Sequence, residues 1–276
     1  MEFSPDILEA FGQTGDWSLL PGGQNTSVKA GNVVLKPVED IAHADWLSEV
    51  LVRLKTNGYR VSKPIQSKYG NFSYNGWTCC HYEKGLEIKG AVQEKLAVSH
   101  LLHHDLKAIV CDDFPVATHH WAMAHRVAWQ KEPLPADLPK EAFECLKRLL
   151  QQVKLEDRYE KQLIHADLAG NILFDTDLGP LIIDFSPTVA PVAYAEAILV
   201  GDSIAWQGAP VTTLQLLPQT AYYQEMLWRA VIFRLVVAAL FSTESANLFH
   251  QSLFSFQPVI NALSVPEKVN LSPERT

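Results

Sequence analysis

The sequence predicts an α+β fold in which a small, β-rich N-terminal lobe precedes a larger, mostly helical lobe. Strand patterns and turn signals are concentrated in residues 19–82. Helical periodicity dominates from residue 83 onward, and one short β-rich island at residues 163–184 interrupts it. We therefore expect an N-terminal lobe at residues 1–82 and a C-terminal lobe at residues 83–276.

The N-terminal lobe is expected to combine short strands with two helices. Residues 4–12 open with Ser-Pro, which favours the first turn of a short helix. Residues 19–37 contain two apolar stretches separated by turn residues, a pattern typical of two short strands. Apolar residues recur at helical spacing in residues 40–55. Residues 59–82 are rich in aromatic and β-branched side chains and contain two turn signals, which predicts a β-hairpin.

The C-terminal lobe is expected to be helical around one embedded hairpin. Apolar spacing predicts helices at residues 92–106, 140–153 and 220–241. Within the β-rich island, the apolar runs at 171–174 and 181–183 predict the two strands of the hairpin.

Composition and charge argue against several classes of protein. The net charge of −8 disfavours a general nucleic-acid binder, which normally presents a basic patch. Four cysteines without a C-x-x-C pair predict neither a zinc site nor a disulfide scaffold. The N-terminus lacks a signal-peptide pattern, and the apolar run at 226–241 is too short and too charged to span a bilayer. We therefore expect a cytoplasmic protein that binds neither nucleic acid nor a membrane.

The strongest chemical signal is the heptapeptide H-A-D-L-A-G-N at residues 165–171, together with I-I-D-F-S at residues 182–186. Asp184, in the second segment, follows Asp167 by seventeen residues. Phosphoryl transfer from a nucleotide needs a carboxylate near the attacking hydroxyl and oxygen ligands for magnesium on the phosphates. A loop with Asp and Asn, then a short hairpin that ends in Asp, supplies these groups.

These segments resemble the catalytic loop H-G-D-x-x-x-x-N and the metal motif I-D-[FW]-x of the aminoglycoside phosphotransferase and choline kinase family. The resemblance implies a protein-kinase-like bilobal fold. It also implies that Asp167 is the catalytic base, that Asn171 and Asp184 are magnesium ligands, and that His165 braces the loop. Three residues separate Asp167 from Asn171, against four in the family pattern, and Ser186 stands where protein kinases have the Gly of D-F-G.

A glycine-containing turn between the first two strands is a candidate for covering the phosphates of a nucleotide. Glycines let the backbone approach the phosphates, and Asn or Ser can add hydrogen-bond donors. The turn resembles the G-G-x-x-N turn of the same family. The candidate residues are Gly22, Gly23, Asn25 and Ser27.

The rest of the expected nucleotide site comes from the following strand, the following helix and the linker. Lys36 ends the strand, where a lysine can reach the α- and β-phosphates, and Glu49 on the next helix is expected to pair with it. The segment 77–85 resembles the family's hinge, whose backbone is expected to hydrogen-bond the nucleobase. Cys80 and Tyr82 are the candidates there.

Other polar and aromatic residues receive weaker assignments. His100, His103 and His104 have i, i+3, i+4 spacing on a predicted helix, and we expect a solvated or capping role. Asp202 is expected either to cap a helix or to line the acceptor pocket, the first being preferred. Three tryptophans are expected in the core, although a pocket for a sugar or an amine could use one of them: Trp121, Trp129 and Trp206.

The sequence therefore predicts a phosphotransferase that uses ATP or GTP with Mg²⁺. The expected acceptor is a small molecule with a hydroxyl group, of the aminoglycoside, sugar or amino-alcohol type. A nucleotide-binding pseudokinase or regulatory module on the same fold is the alternative, because the Asp167–Asn171 interval is shortened. A protein kinase ranks last, because the H-R-D and A-P-E signatures are missing from the sequence.

Overall fold

A computed structural model describes residues 3–20, 26–111, 113–154, 159–242 and 247–264 of the protein. The strands are β1 (Trp17–Leu19), β2 (Val28–Ala30), β3 (Val33–Pro37), β4 (Arg60–Val61), β5 (Ser73–Tyr74), β6 (Trp77–His81), β7 (Leu86–Glu87), β8 (Gln162–His165), β9 (Ile172–Phe174), β10 (Leu181–Ile182) and β11 (Pro187–Ala190). The helices are α1 (Pro5–Ala10), α2 (Ile41–Arg53), α3 (Val92–Leu106), α4 (His120–Ala128), α5 (Lys140–Leu150), α6 (Val192–Trp206), α7 (Ala221–Phe241) and α8 (Leu248–Ser264).

An antiparallel sheet in the order β1-β2-β3-β6-β5 forms the N-terminal region. Because side chains alternate along a strand, its two faces have different environments. Leu35 and Cys79 point into a small core that α1 covers. Lys36, Val34 and Cys80 are on the opposite face, which looks toward the rest of the molecule.

Helix α2 contacts the sheet at β5, where the Ser73 hydroxyl donates to Asp45 Oδ2 at 3.0 Å. It starts where the Asp40 side chain accepts a hydrogen bond from the His43 N–H at 2.9 Å, an N-cap. At its other end, the Lys63 ammonium group donates to the carbonyls of Leu51 and Leu54 at 2.6 and 2.8 Å, and so provides hydrogen-bond partners for carbonyl groups at the end of the helix. The buried apolar residues of α2, Trp46 and Val50, belong to the large core of the helical region.

The segment 59–82 differs from its prediction. Strands β5 and β6 form a hairpin whose Asn75-Gly76 turn has positive φ at both residues, as a tight hairpin turn requires. Strand β4 instead runs parallel to β10 in a second sheet, ordered β4-β10-β9-β7. The prediction of a single hairpin was therefore wrong for β4. The backbone N–H groups of residues 60 and 62 donate to the carbonyls of residues 180 and 182, which joins β4 to the embedded hairpin β9–β10.

The C-terminal part is mostly helical, and the fold is α+β as predicted. Helices α4, α6 and α8 surround α7, which is buried over most of its length. The predicted hairpin at the β-rich island is confirmed as β9–β10, and β8 pairs separately with β11. Among the described residues, no helix combines the length and apolar character needed to cross a bilayer.

Candidate active site

His165, the last residue of β8, fixes the loop of residues 165–171, which we call the motif loop. Its Nδ1 accepts a hydrogen bond from the Asp167 backbone N–H at 3.1 Å. Its Nε2 lies 3.3 Å from the carbonyl of Ile183, to which it donates. Burial lowers the pKa of His165 to about 4, so the ring is neutral and can play both parts. His165 thus joins the motif loop to the strand end that carries Asp184.

A second buried histidine supports the first. His103 on α3 accepts the backbone N–H of His165 at Nε2 (3.1 Å), and its Nδ1 lies 3.1 Å from the Ser99 hydroxyl. Burial lowers the pKa of His103 to about 3. The expectation of a solvated role was wrong for this residue, because it faces the core side of α3. His100 does lie at the surface, 2.8 Å from the carboxylate of Glu196.

The Asp167 carboxylate is held by two side chains. Its Oδ1 accepts from Arg234 Nη2 at 2.5 Å, and its Oδ2 lies 3.2 Å from Asn171 Nδ2. The same amide nitrogen donates to the Asp167 backbone carbonyl at 2.7 Å. The shortened interval in the motif loop therefore still brings Asn171 back onto Asp167. Part of the Asp167 side chain remains open to solvent.

Arg234 on α7 is the functional candidate that the sequence analysis missed. Its Nε lies 3.0 and 3.1 Å from the two carboxylate oxygens of Asp202, and its Nη2 also contacts Asp202. Burial works against the charge of Arg234, but Asp202 and Asp167 outweigh it and raise the pKa of the guanidinium. Burial raises the pKa of Asp202 to about 6, and Arg234 opposes this effect. A buried cation thus links α6, α7 and the motif loop.

This pairing also corrects the assignment of Asp202. Helix α6 begins at Val192, so Asp202 lies well inside it and is not an N-cap. The sequence contained one signal for Arg234, an arginine within the apolar run 226–241. A charged residue inside a buried helix needs a partner of opposite charge, and that partner was Asp202.

Buried Lys95 on α3 supports the other side of the motif loop. Its Nζ donates to the Ala169 carbonyl at 2.5 Å and to Gln207 Oε1 at 2.7 Å. Gln207 Nε2 in turn donates to the same carbonyl at 2.7 Å and to Glu87 Oε1 at 2.8 Å. The motif loop is therefore fixed from α3 and from the end of α6, and the sequence pattern gave no sign of this network.

Lys36 contacts Asp184, which brings a residue of the N-terminal sheet to the end of the embedded hairpin. Asp184 has a φ of 50°, a left-handed conformation that Asp tolerates better than most residues do. The expected partner, Glu49, is instead 3.5 Å from Arg53 on the solvent side of α2. The predicted Lys36–Glu49 pair is therefore absent from the described part of the chain, because Glu49 faces away from the sheet.

Of the candidates in the glycine-containing turn, the structure describes Ser27. Gly22, Gly23 and Asn25 are outside the described residues. The Ser27 carbonyl accepts the Leu20 N–H at 2.9 Å and extends the β1–β2 pairing.

The two hinge candidates lie in β6 and directly after it. Cys80 lies on the inward face of β6, opposite Val34. Tyr82 donates its backbone N–H to the Asn32 carbonyl at 2.8 Å. Its contact with a nucleobase stays a prediction. Lys29 Nζ lies 3.6 Å from the centroid of the Tyr82 ring. The linker then crosses β9 so closely that a Cβ on Gly85 would lie 2.7 Å from the Leu173 side chain, which explains the glycine.

The donor set fits a magnesium ion that binds together with phosphates. Asp184 is exposed, and Asn171 uses its amide nitrogen for Asp167, which leaves the amide oxygen for a cation. Among the described residues, no group of three or more His, Cys, Asp or Glu could hold a metal ion. Magnesium is commonly bound by one or two protein ligands plus substrate phosphates, and two oxygen donors match that mode.

Comparisons with known proteins identify the fold. No protein-family model matches the sequence. No curated protein matches it either. The apo form of a thermostable mutant of aminoglycoside phosphotransferase APH(4)-Ia has a TM-score of 0.64 at 13% identity, covering 95% of this chain and 99% of its own.

Two further solved structures contain nucleotides. The AMP complex of spectinomycin phosphotransferase APH(9)-Ia has a TM-score of 0.62 at 12% identity, with 96% and 98% of the chains covered. A ternary complex of a thermostable mutant of APH(4)-Ia with AMP-PNP and hygromycin B has a TM-score of 0.59 at 14% identity, with 92% and 97% covered. The chain therefore has the bilobal, kinase-like fold of the aminoglycoside phosphotransferases.

Proposed function

We propose that the protein is a magnesium-dependent phosphotransferase that moves the γ-phosphate of ATP or GTP to a hydroxyl group of a small molecule. One observation carries this proposal. Asp167 and Asn171 are in contact, the Ile183 N–H donates to the Asn171 carbonyl at 3.0 Å, and Asp184 follows directly and contacts Lys36. The candidate base, the metal ligands and the phosphate-binding cation thus form one continuous site.

The Asp167 carboxylate is suited to a base that orients the acceptor. Arg234 holds one carboxylate oxygen, which fixes the direction of the other. In the transfer, the acceptor oxygen bonds to the γ-phosphorus as the bond to the bridging oxygen breaks, and the nucleoside diphosphate leaves with that electron pair. The hydroxyl proton passes to Asp167.

Lys36 would exchange Asp184 for the α- and β-phosphates once a nucleotide enters. Asn171 and Asp184 would hold magnesium, which neutralises charge on the phosphate oxygens when it is bound. Such a reaction depends mainly on positioning and on electrostatic stabilisation, so fixed groups in the motif loop matter more than strong acids or bases.

The pseudokinase alternative rested on the shortened loop. In the structure, Asn171 reaches both the backbone carbonyl and the carboxylate of Asp167 despite the missing residue. That contact supports the enzyme over the pseudokinase. We therefore propose that the shorter loop still holds Asn171 where it can bind magnesium.

Nucleotide binding is the first test. The melting temperature of the purified protein would be measured with ATP or GTP, with and without magnesium, beside Asp184→Ala. We expect a magnesium-dependent rise that Asp184→Ala loses and that Asp177→Ala, an exposed position on the same hairpin, retains. If neither nucleotide raises the melting temperature of the wild type at millimolar concentration, the proposed function is wrong.

A further inference from the structure

Two tryptophans surround the guanidinium that holds Asp167. The Arg234 Cζ lies 5.6 Å from the ring centroid of Trp121 on α4 and 5.4 Å from that of Trp206 on α6. Trp121 also packs against Phe233 and Phe241 and belongs to the core boundary. Trp206 is 48% exposed. Phe256 packs edge-to-face against Trp206, with ring centroids 5.1 Å apart. A half-exposed indole therefore lies beside the guanidinium that binds the candidate base.

The end of helix α6 explains why Trp206 is there. Trp206 is four positions after Asp202 and shares one face of the helix with it. The helix turn whose carboxylate binds Arg234 therefore places the indole beside the same guanidinium. Gln207, the next residue, is bonded to the Ala169 carbonyl of the motif loop at 2.7 Å. The position of Trp206 relative to the motif loop is thus fixed on both sides.

The carboxylates of this region are already matched by cations or amides. Asp167 and Asp202 share Arg234, and Asp184 contacts Lys36. Glu87 accepts from Gln207, which also binds Lys95. A polycationic acceptor needs unpaired carboxylates, because ammonium groups lose solvation when they bind. The described residues around the motif loop offer an open aromatic face and little uncompensated negative charge.

We infer that the acceptor is an uncharged polyol of the sugar class, which lays its C–H face on Trp206 and directs one hydroxyl to Asp167. This inference rests on the proposed phosphotransferase function and narrows its acceptor. Aromatic side chains give a large contact area at low entropy cost, and the hydroxyls of a sugar can bond to the polar groups around the ring. The transfer itself is the one given above, from the γ-phosphorus to the sugar oxygen.

The test compares acceptors that differ in charge. Transfer of labelled γ-phosphate from magnesium ATP and magnesium GTP would be measured with glucose, maltose, glucosamine and hygromycin B. Glucose and glucosamine are a matched pair that differs by one ammonium group. We expect glucose or maltose to be phosphorylated with kcat/KM at least about tenfold above that for glucosamine or hygromycin B.

Variants at Trp206 test the contact itself. Trp206→Ala is expected to raise the KM for the neutral acceptor about tenfold, with the KM for the nucleotide unchanged, and Trp206→Phe to restore most of the affinity. Trp17→Ala is the control, because Trp17 is similarly exposed (46%) but lies on β1 of the N-terminal sheet. Equal effects of Trp206→Ala and Trp17→Ala would contradict the inference.

The outcomes separate the two proposals. A preference for hygromycin B or glucosamine, or no transfer to either neutral sugar by a protein that nucleotides stabilise, would overturn the sugar inference alone. If nucleotides do not stabilise the protein, the phosphotransferase proposal fails and the acceptor inference fails with it.

Discussion

The motif loop and the N-terminal sheet are held by different kinds of contact. Around the motif loop, the partners are charged or polar side chains buried to between 0% and 4% exposure: Lys95, His103, His165, Asp202 and Arg234. They reach the loop from α3, α6, α7 and β8. These groups are therefore shielded from solvent, whereas the Asp167 carboxylate that Arg234 binds is partly open to it.

The sheet side contributes contacts that water can reach. Lys36 and Asp184 keep 28% and 48% of their side chains exposed, and Glu49 and Arg53 pair at the surface. The Tyr82 ring is also exposed, beside Lys29. Interactions of this kind contribute little to stability and are easily exchanged for others.

The difference indicates which half of the site is ready before ligands bind. The Asp167 carboxylate is held by Arg234 and Asn171, so it has few alternative positions and is preorganised although part of it is open to solvent. A partly exposed lysine on an exposed carboxylate can move to a phosphate at little cost, so we expect the proposed nucleotide half to form on binding.

Removal of the buried cation should have the largest effect. In Arg234→Ala, the carboxylate of Asp202 stays buried without a partner, and the free energy of unfolding should fall by about 3–5 kcal/mol. Chemical denaturation of the purified variants measures this change. Arg53→Ala, at the exposed pair on α2, is the matched control and should change stability by less than about 0.5 kcal/mol.

A double variant separates folding from positioning. Arg234→Met combined with Asp202→Leu removes both buried charges and should recover most of the stability. Asp167 would then lack its guanidinium contact, so kcat should remain low while the nucleotide still raises the melting temperature. A double variant with the kcat of the wild type would show that Arg234 does not position Asp167.

The buried histidines should lower the free energy of unfolding in acid. The pKa of His103 is about 3 in the folded protein. It is about 6.5 in an unfolded chain, so the unfolded state binds more protons between these values. The contribution of neutral His103 to the free energy of unfolding is therefore fully present above pH 6.5. It decreases as the pH falls, and the loss at pH 5 is about 2 kcal/mol for this one group.

His103→Gln tests this assignment. Glutamine can still accept the His165 N–H but does not titrate, so the variant should lose less stability than the wild type between pH 7 and pH 5. His104→Gln, one residue away and exposed, should keep the pH dependence of the wild type. The assignment would be wrong if all three proteins had the same slope of unfolding free energy against pH.

The sequence was sufficient to predict which candidate residues lie together where those residues are close along the chain. The motif loop and the embedded hairpin lie within residues 163–184, so the spacing of Asp167, Asn171 and Asp184 could be interpreted directly. Local apolar periodicity also predicted α2, α3 and α7 within a few residues of their observed ends.

Contacts between distant segments could not be predicted in the same way. Arg234 is 67 residues from Asp167, and β4 pairs with a strand about 120 residues later, so neither partner has a local signature. Glu49 was assigned by its distance from Lys36 along the chain, whereas the rotation of α2 decides which residues face the sheet. The spacing of apolar residues predicts where a helix lies in the sequence, but it does not fix the orientation of that helix against a neighbouring sheet.

The smallest effects on stability are expected on the nucleotide side, where Lys36 and Glu49 form a direct comparison. Lys36→Ala removes an exposed pair, so the free energy of unfolding should change by less than about 1 kcal/mol. Nucleotide affinity, measured by calorimetry with magnesium present, should fall at least about tenfold because the phosphates lose a cation. Glu49→Gln should change neither quantity, since its partner is Arg53. If Glu49→Gln weakens nucleotide binding as much as Lys36→Ala does, α2 must rotate on binding to form the Lys36–Glu49 pair, and the nucleotide half would then be remodelled as well as filled.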